Sequence, residues 1–367
     1  MTITELFNLD LGEKHPGARF GEFRVGPFMV KVVDDYAARV REVPHRARRT
    51  DSYDSKTNQT TTSFQEATGA GWHVTATATL VGARESSLLT EPPTEDGGLW
   101  DLCVLLTFLT GRRVAMREDL DRFSPRPGEP ACLDVATLLT AAAAWSGRSR
   151  IVERGLTTAL NLYTEAVGHD VLQVFGSLYN TALNVVLDEW DLPLTNVAPS
   201  ARKALKDTVL PVIATCEALS PEERSGYAAR VGATIDQGLV GLADKLPALL
   251  VALGVIPVGD VEDATRRRVR FVNTVRNRLT HAGEGPKLRG LDKDQADRHT
   301  TAIASGVVPD ILKLALGEVL ELDPDGFGIH PGVRPNLVRF FAKGIWRGWP
   351  LEEKAFDEWF RADRLSW

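Results

Sequence analysis

Hydrophobic and polar positions alternate in the first quarter of the chain and recur at helical spacing after it. "FMVKVV" (28–33) is rich in β-branched residues. "HVTATATL" (73–80) alternates strictly, with Val74, Ala76, Ala78 and Leu80 on one face and Thr75, Thr77 and Thr79 on the other. Both patterns predict strands within a strand-favouring stretch from Phe20 to about Leu89. The polar, charged segment between them, Val43 to Ala67, reads as an exposed loop or hairpin, and "EPPTEDGG" (91–98) as a turn-rich break. "LWDLCVLLTFLTGRRV" then predicts an apolar helix ending at Gly111, with Arg112 and Arg113 just beyond it.

"RFSPRPGEPA" (122–131) carries three prolines and a glycine in ten residues and is the best linker candidate. Beyond it the spacing predicts helices near 133–145, 150–166, 169–190, 200–218, 221–252, 260–281, 292–320, 334–346 and 351–364. Ser220-Pro221-Glu222-Glu223 is a capping box with proline at the first helical position. The expected class is α+β: a β-rich N-terminal domain (1–125), an all-α domain (130–322) and a Trp-rich helical C-terminal extension (323–367). A chain of 367 residues is long for one compact unit, which agrees with that division.

Composition narrows the setting. A hydrophobic fraction of 43% with 25% charged residues is ordinary for a globular protein, and a net charge of −6 does not mark the whole chain as a nucleic-acid binder. Cys103, Cys132 and Cys216 are odd in number, far apart and set in apolar runs, so they read as core residues in a reducing compartment. The acidic start MTITELFNLDLGEK has no apolar secretory segment. The longest apolar run, Ala248 to Val258, is too short to span a bilayer and is interrupted by Gly254 and Pro257. The expectation is a cytoplasmic protein with no membrane partner.

The candidate chemistry lies in "VRNRLTHAGEG" (275–285), at the end of a basic helix. On a helix, Asn277 and His281 are four apart and share a face, while Arg276 sits on the flank, about 140° from His281. All three line one cleft if a partner surface closes against that edge or if the helix frays before His281. A two-fold dimer pairing this helix with its copy would place two Arg and two His around one groove. Such a set suits a phosphodiester: His281 can move a proton near neutral pH, Arg276 can hold charge on the phosphoryl oxygens, and Asn277 can orient either. Arg and His are also favoured at helix C-termini for dipole reasons, and Gly283 is an ordinary cap, so a structural role competes. From Val261 to Gly290 there are seven Arg and one Lys against Glu262, Asp263 and Glu284, a net +5 on a chain that is otherwise −11. "TRRRVR" (265–270) puts Arg266, Arg267, Arg268 and Arg270 within two turns upstream, a phosphate track or a solvated face.

"RNRLTH" matches the R-polar-x-x-x-H signature of HEPN domains. The stretches "FVNTVRNRLTHAGE" and "LNLYTEAVGHDVLQVFGSLYNTALNVV" (160–186) resemble the HEPN module of the ApeA-like family, and "LWDLCVLLTFLTGRRV" resembles the helix joining its β-rich domain to that module. Such domains are all-helical, usually dimeric and often metal-independent ribonucleases. They often carry an acid in an early helix, where this chain has Asn184. The resemblance implies Arg276 and His281 as catalytic residues supported by Asn277, and the basic stripe offers Arg266, Arg267, Arg270 and Arg278 as the residues to hold RNA. The resemblance implies no cofactor and no metal. The implied setting is anti-phage defence by abortive infection, with an RNA substrate (transfer RNA among the candidates), a homodimer through the helical domain, and a phage-derived trigger or an antitoxin as partner. The alternatives are a non-catalytic HEPN binding or dimerisation module and a HEPN toxin controlled by an antitoxin. A weaker rival is a duplex-DNA regulator using the "TRRRVR" helix.

Other constellations read more plainly. Ser200 and Lys203 have nucleophile spacing but follow Pro199, so Ser200 reads as a helix N-cap. "DPDG" (323–326) reads as a turn, His281 with Glu284 lacks further metal ligands, and "TGAGWH" (68–73) is no phosphate loop. Trp346, Trp349, Trp359 and Trp367 read as an amphipathic cap on a neighbouring domain.

Overall fold

The computed structural model describes residues 3–11, 22–45, 48–54, 59–65, 69–90, 97–125, 135–169, 171–192, 198–237, 242–259, 262–282, 293–322, 332–346 and 349–350. Four strands form an antiparallel sheet near the N-terminus. They are β1 (Ile3–Phe7), β2 (Glu22–Val25), β3 (Phe28–Val32) and β6 (Val74–Leu80), in the order β1-β6-β3-β2. Between β3 and β6 run a short helix, α1 (Tyr36–Glu42), and a separate hairpin of β4 (Arg48–Asp54) and β5 (Gln59–Gln65). The expected alternation of β6 holds at Ala76 and Ala78, which are buried with Leu6, Phe28 and Val30, although Thr75 is buried as well. Strand β1 lies before the stretch read as strand-favouring; its signal is the short "ITELF" run that pairs with Val74–Thr79.

Helix α2 (Leu99–Thr110) is buried from Asp101 onward, which accounts for its lack of a polar face. It ends where expected: Gly111 adopts φ +62 and its N–H returns to the Thr107 carbonyl at 2.8 Å. The chain beyond is helical: α3 (Val135–Glu153), α4 (Thr157–Val167), α5 (Leu172–Glu189), α6 (Pro199–Ala214), α7 (Pro221–Gln237), α8 (Leu242–Ala252), α9 (Asp263–Ala282), α10 (Lys293–Ala302), α11 (Val308–Val319) and α12 (Val333–Lys343). A π turn, Ile303–Val307, joins α10 to α11. The result is a mixed α+β chain, with the sheet early and helices dominating the rest.

Several boundaries differ from the expected ones, each for a local reason. The break expected near "SGRS" comes after Glu153, at Arg154-Gly155, where Gly155 takes φ +69. Gly147 stays inside α3 because the helix passes against the Leu320 backbone, where a Cβ would lie 2.8 Å from the carbonyl oxygen. Residues 221–252 divide into α7 and α8. Helix α6 ends at Ala214, and α12 ends at Lys343, where Gly344 turns the chain with φ +67 into the short β7 (Ile345–Trp346), paired with β8 (Trp349–Pro350). Ser200 is not the N-cap of α6. That position is Ala198, with proline at the first turn. The capping box at α7 forms as expected: the Ser220 N–H donates to Glu223 Oε2 at 2.8 Å and the Glu223 N–H to Ser220 Oγ at 3.2 Å.

Core packing runs without a gap from the sheet into the helices. Trp145 of α3 meets Phe28 edge-on at 5.6 Å, and its ring fills the space where Gly26 and Gly98 have no Cβ. Next to it Arg148 stacks 3.7 Å over the Trp145 ring and pairs with Asp101 (3.3 Å) and Glu85. Asp101 in turn accepts the N–H groups of Leu88 and Leu89. Helices α4 and α5 pack side by side, and α5 supports α8, α9 and α11. Cys132, "DPDG" and the segment from residue 351, with Trp359, Trp367 and the expected final helix, lie outside the described residues. Cys103 is buried, Cys216 half-buried, and both are free thiols.

Candidate functional site

Helix α9 owes its position to an apolar stripe. Val269, Val272, Val275 and Leu279 recur at three- and four-residue spacing, and all are buried with Phe271. Arg276 falls at the edge of this stripe and is only 2% exposed. A cation there needs polar partners. Helix α5 supplies them from Asn180 and Asn184, which are one turn apart on one face.

Arg276 Nη1 donates to Asn184 Oδ1 at 2.9 Å, and Nη2 donates to Asn277 Oδ1 at 3.2 Å. Asn180 Nδ2 donates to the Arg276 carbonyl at 3.2 Å, fixing the helix backbone from the same side. Burial lowers the Arg276 pKa to about 10, while the charge of Asp188, one further turn along α5, acts to raise it. The guanidinium therefore remains a cation at neutral pH. Asp188 itself pairs with Lys245 of α8 at 2.6 Å.

The structure thus brings Arg276 and Asn277 into direct contact and adds Asn180, Asn184 and Asp188. Asn184 stands where the family resemblance leads one to expect an acid. Asn180 and Asp188 were not singled out in the sequence, although the spacing of four between 180, 184 and 188 was the available signal. The backbone of α9 continues through His281, one turn past Asn277; the His281 side chain and Glu284 lie outside the described residues.

The neighbouring arginines of α9 divide by depth. Arg266, Arg270 and Arg278 are exposed and Arg267 half-buried. Arg268 is not part of that surface: it is buried, and its Nη1 donates to the Phe341 carbonyl at 2.7 Å, with Thr265 Oγ1 on the same oxygen at 3.0 Å. It caps the end of α12 instead. At 100° per residue, Arg266, Asn277, Arg270, His281, Arg267 and Arg278 follow one another around a single sector of about 120°. The stretch from Arg266 to His281 is about 22 Å long.

Among the described residues there is no group of three or more His, Cys, Asp or Glu placed to hold a metal ion, and no helix long and apolar enough to cross a membrane. No protein-family model, no curated protein and no solved structure matches the chain.

Proposed function

We propose that the chain is a HEPN-type endoribonuclease that cleaves RNA without a metal, working as a homodimer in anti-phage defence by abortive infection. The observation that supports this most is the fixed cation at Arg276. A helix-end Arg placed only for the dipole would reach into solvent, whereas this one is held by Asn184 and Asn277 beside the exposed face of α9.

In this reading the ribose 2′-oxygen gives up its proton to His281 and bonds to phosphorus, and the bond from phosphorus to the 5′-oxygen breaks. The 5′-oxygen takes up a proton from water and His281 returns its own to solvent, leaving a 2′,3′-cyclic phosphate and a 5′-hydroxyl. The nucleophile comes with the substrate. Arg276 carries positive charge close to the phosphoryl oxygens, and Asn277, bonded to it, sets its direction. Arg266, Arg267, Arg270 and Arg278 hold flanking phosphates. The N-terminal sheet unit would serve as the sensor for a phage-derived trigger, or an antitoxin would restrain the enzyme.

The burial of Arg276 favours one other reading, a HEPN binding or dimerisation module in which the residue is structural. Incubation of the purified protein with total and transfer RNA in EDTA separates the two. Asn277→Ala and His281→Ala are the main variants, because Arg276→Ala also removes a buried hydrogen-bonding group. Cleavage by the wild type alone, with cyclic-phosphate ends, is the expected result. Equal cleavage by the wild type and both variants would remove the site from consideration.

A further inference from the structure

Arg276 cannot meet a phosphate where it stands. The residue is 2% exposed, and its two amide partners lie nearer the surface than it does: Asn184 is half-buried and Asn277 exposed. Asn184 Oδ1, which accepts from Nη1 at 2.9 Å, fills a seat that a phosphoryl oxygen would take. A cation that is to act on RNA has to exchange that partner for the substrate and move outward.

A second acceptor is in place for such a move. Asn273 of α9 is 8% exposed, and its Oδ1 is buried with no hydrogen-bond partner among the described residues. Buried amide oxygens are rarely left so. At 100° per residue Asn273 lies about 60° from Arg276 and about 40° from Asn277, between the buried edge and the exposed face. Residues three apart on a helix are neighbours, and helical side chains lean toward the N-terminus. The Arg276 side chain is thereby carried toward the turn that holds Asn273. The backbone stays in place, because Asn180 Nδ2 holds the Arg276 carbonyl at 3.2 Å.

We propose that Arg276 is a two-position latch. In the closed position, the one in this structure, its guanidinium is tied across to α5 through Asn184. In the open position it turns along α9 to Asn273 Oδ1 and presents its outer nitrogens to a phosphodiester. One bond to a neutral amide replaces another, so the two positions lie close in energy, and substrate, or a trigger that loosens α5 from α9, selects between them. Asp188, one turn beyond Asn184, attracts the guanidinium toward α5 and favours the closed position. The consequence for cleavage rests on the ribonuclease reading; the exchange of partners does not.

Phenylglyoxal, which adds to accessible guanidinium groups, reads the latch directly, with exposed Arg278 as internal reference and mass spectrometry to locate the adducts. In the wild type Arg276 is expected to react at least tenfold more slowly than Arg278, although its pKa, lowered to about 10, favours the reaction. Asn184→Ala is expected to narrow that gap at least threefold with unchanged circular dichroism, and to raise RNA cleavage. Asn273→Ala is expected to leave Arg276 protected and to lower cleavage. In denaturant, Asn184→Ala should shift the unfolding midpoint further in the Asn273→Ala background than alone, because the released guanidinium then lacks its second acceptor. Equal reaction at positions 276 and 278 in the wild type would overturn the inference. So would protection that Asn184→Ala leaves unchanged, or midpoint shifts that simply add. Cleavage lowered by Asn184→Ala in spite of a more reactive Arg276 would overturn the role of the latch in catalysis. If no form cleaves RNA while reactivities and midpoints move as expected, the ribonuclease reading fails and the latch stands.

Discussion

The guanidinium of Arg276 is anchored by the side chain of Asn184, 2.9 Å away and ninety-two positions earlier in the chain. The bond joins α5 to α9 and determines where the strongest candidate for chemistry can point.

Removing that acceptor leaves a buried cation with fewer partners. Asn184→Ala is expected to lower unfolding free energy by about 1.5–3 kcal/mol, the range for a hydrogen bond to a charged group. Asn184→Asp keeps an acceptor, adds an opposite charge, and should cost less. Denaturant unfolding of both variants beside the wild type measures the difference, and equal losses would show that the bond contributes little.

Tyr36 accepts the Leu11 N–H at 2.6 Å inside the sheet unit, close to Asp10, which pairs with Arg112 and His45. Burial, and then the Asp10 charge, hold the phenol pKa well above its ordinary value. The folded state thus keeps a proton that the unfolded state releases above about pH 10. Stability contributed by Tyr36 is full below that pH and declines as pH rises beyond it. Tyr36→Phe should lose this alkaline dependence and, with the Leu11 N–H unpaired, cost about 1–3 kcal/mol at neutral pH. Unfolding curves taken on both sides of pH 10 check both statements.

Asp101 sits beneath Leu88 and Leu89 with both carboxylate oxygens occupied by their N–H groups. Burial raises its pKa in spite of these bonds and Arg148. An acid with a raised folded value adds stability as pH falls through that value, and the gain levels off below about pH 4. Asp101→Asn should abolish this slope. It should also destabilise by about 1–3 kcal/mol, because an amide group would face one of the two N–H donors. A stable, pH-independent Asn variant would contradict the second expectation and leave the first standing.

Gly147→Ala tests the crossing of α3 over Leu320. The new Cβ would lie 2.8 Å from a backbone oxygen, which cannot rotate away. A loss of about 1–3 kcal/mol is expected. A melting temperature equal to that of the wild type would mean that the two segments separate easily.

Periodicity revealed much of this architecture because burial on one face leaves a record in the sequence. The alternation in β6, the apolar run of α2 with its terminal Gly111, and the box at Ser220 are all local. What was not legible depends on distant partners. Gly147 reads as a helix breaker until Leu320 is placed beside it. Arg268 reads as one more surface cation in "TRRRVR" until the end of α12 arrives above it. The same limit applies at the candidate site. The six-residue motif singles out Arg276, but its depth and its bonds to Asn184 and Asn180 require a second helix nearly a hundred residues away.

The Trp145 ring, lodged against Gly26 and Gly98, has a mechanical consequence. A hinge between sheet and helices would have to pull an indole out of a slot shaped by two missing side chains and break the Arg148 ion pairs with Asp101 and Glu85. Sheet and α3 are therefore interlocked like the two halves of a dovetail joint, and α3 is keyed in turn to the end of α11 where Gly147 meets the Leu320 backbone.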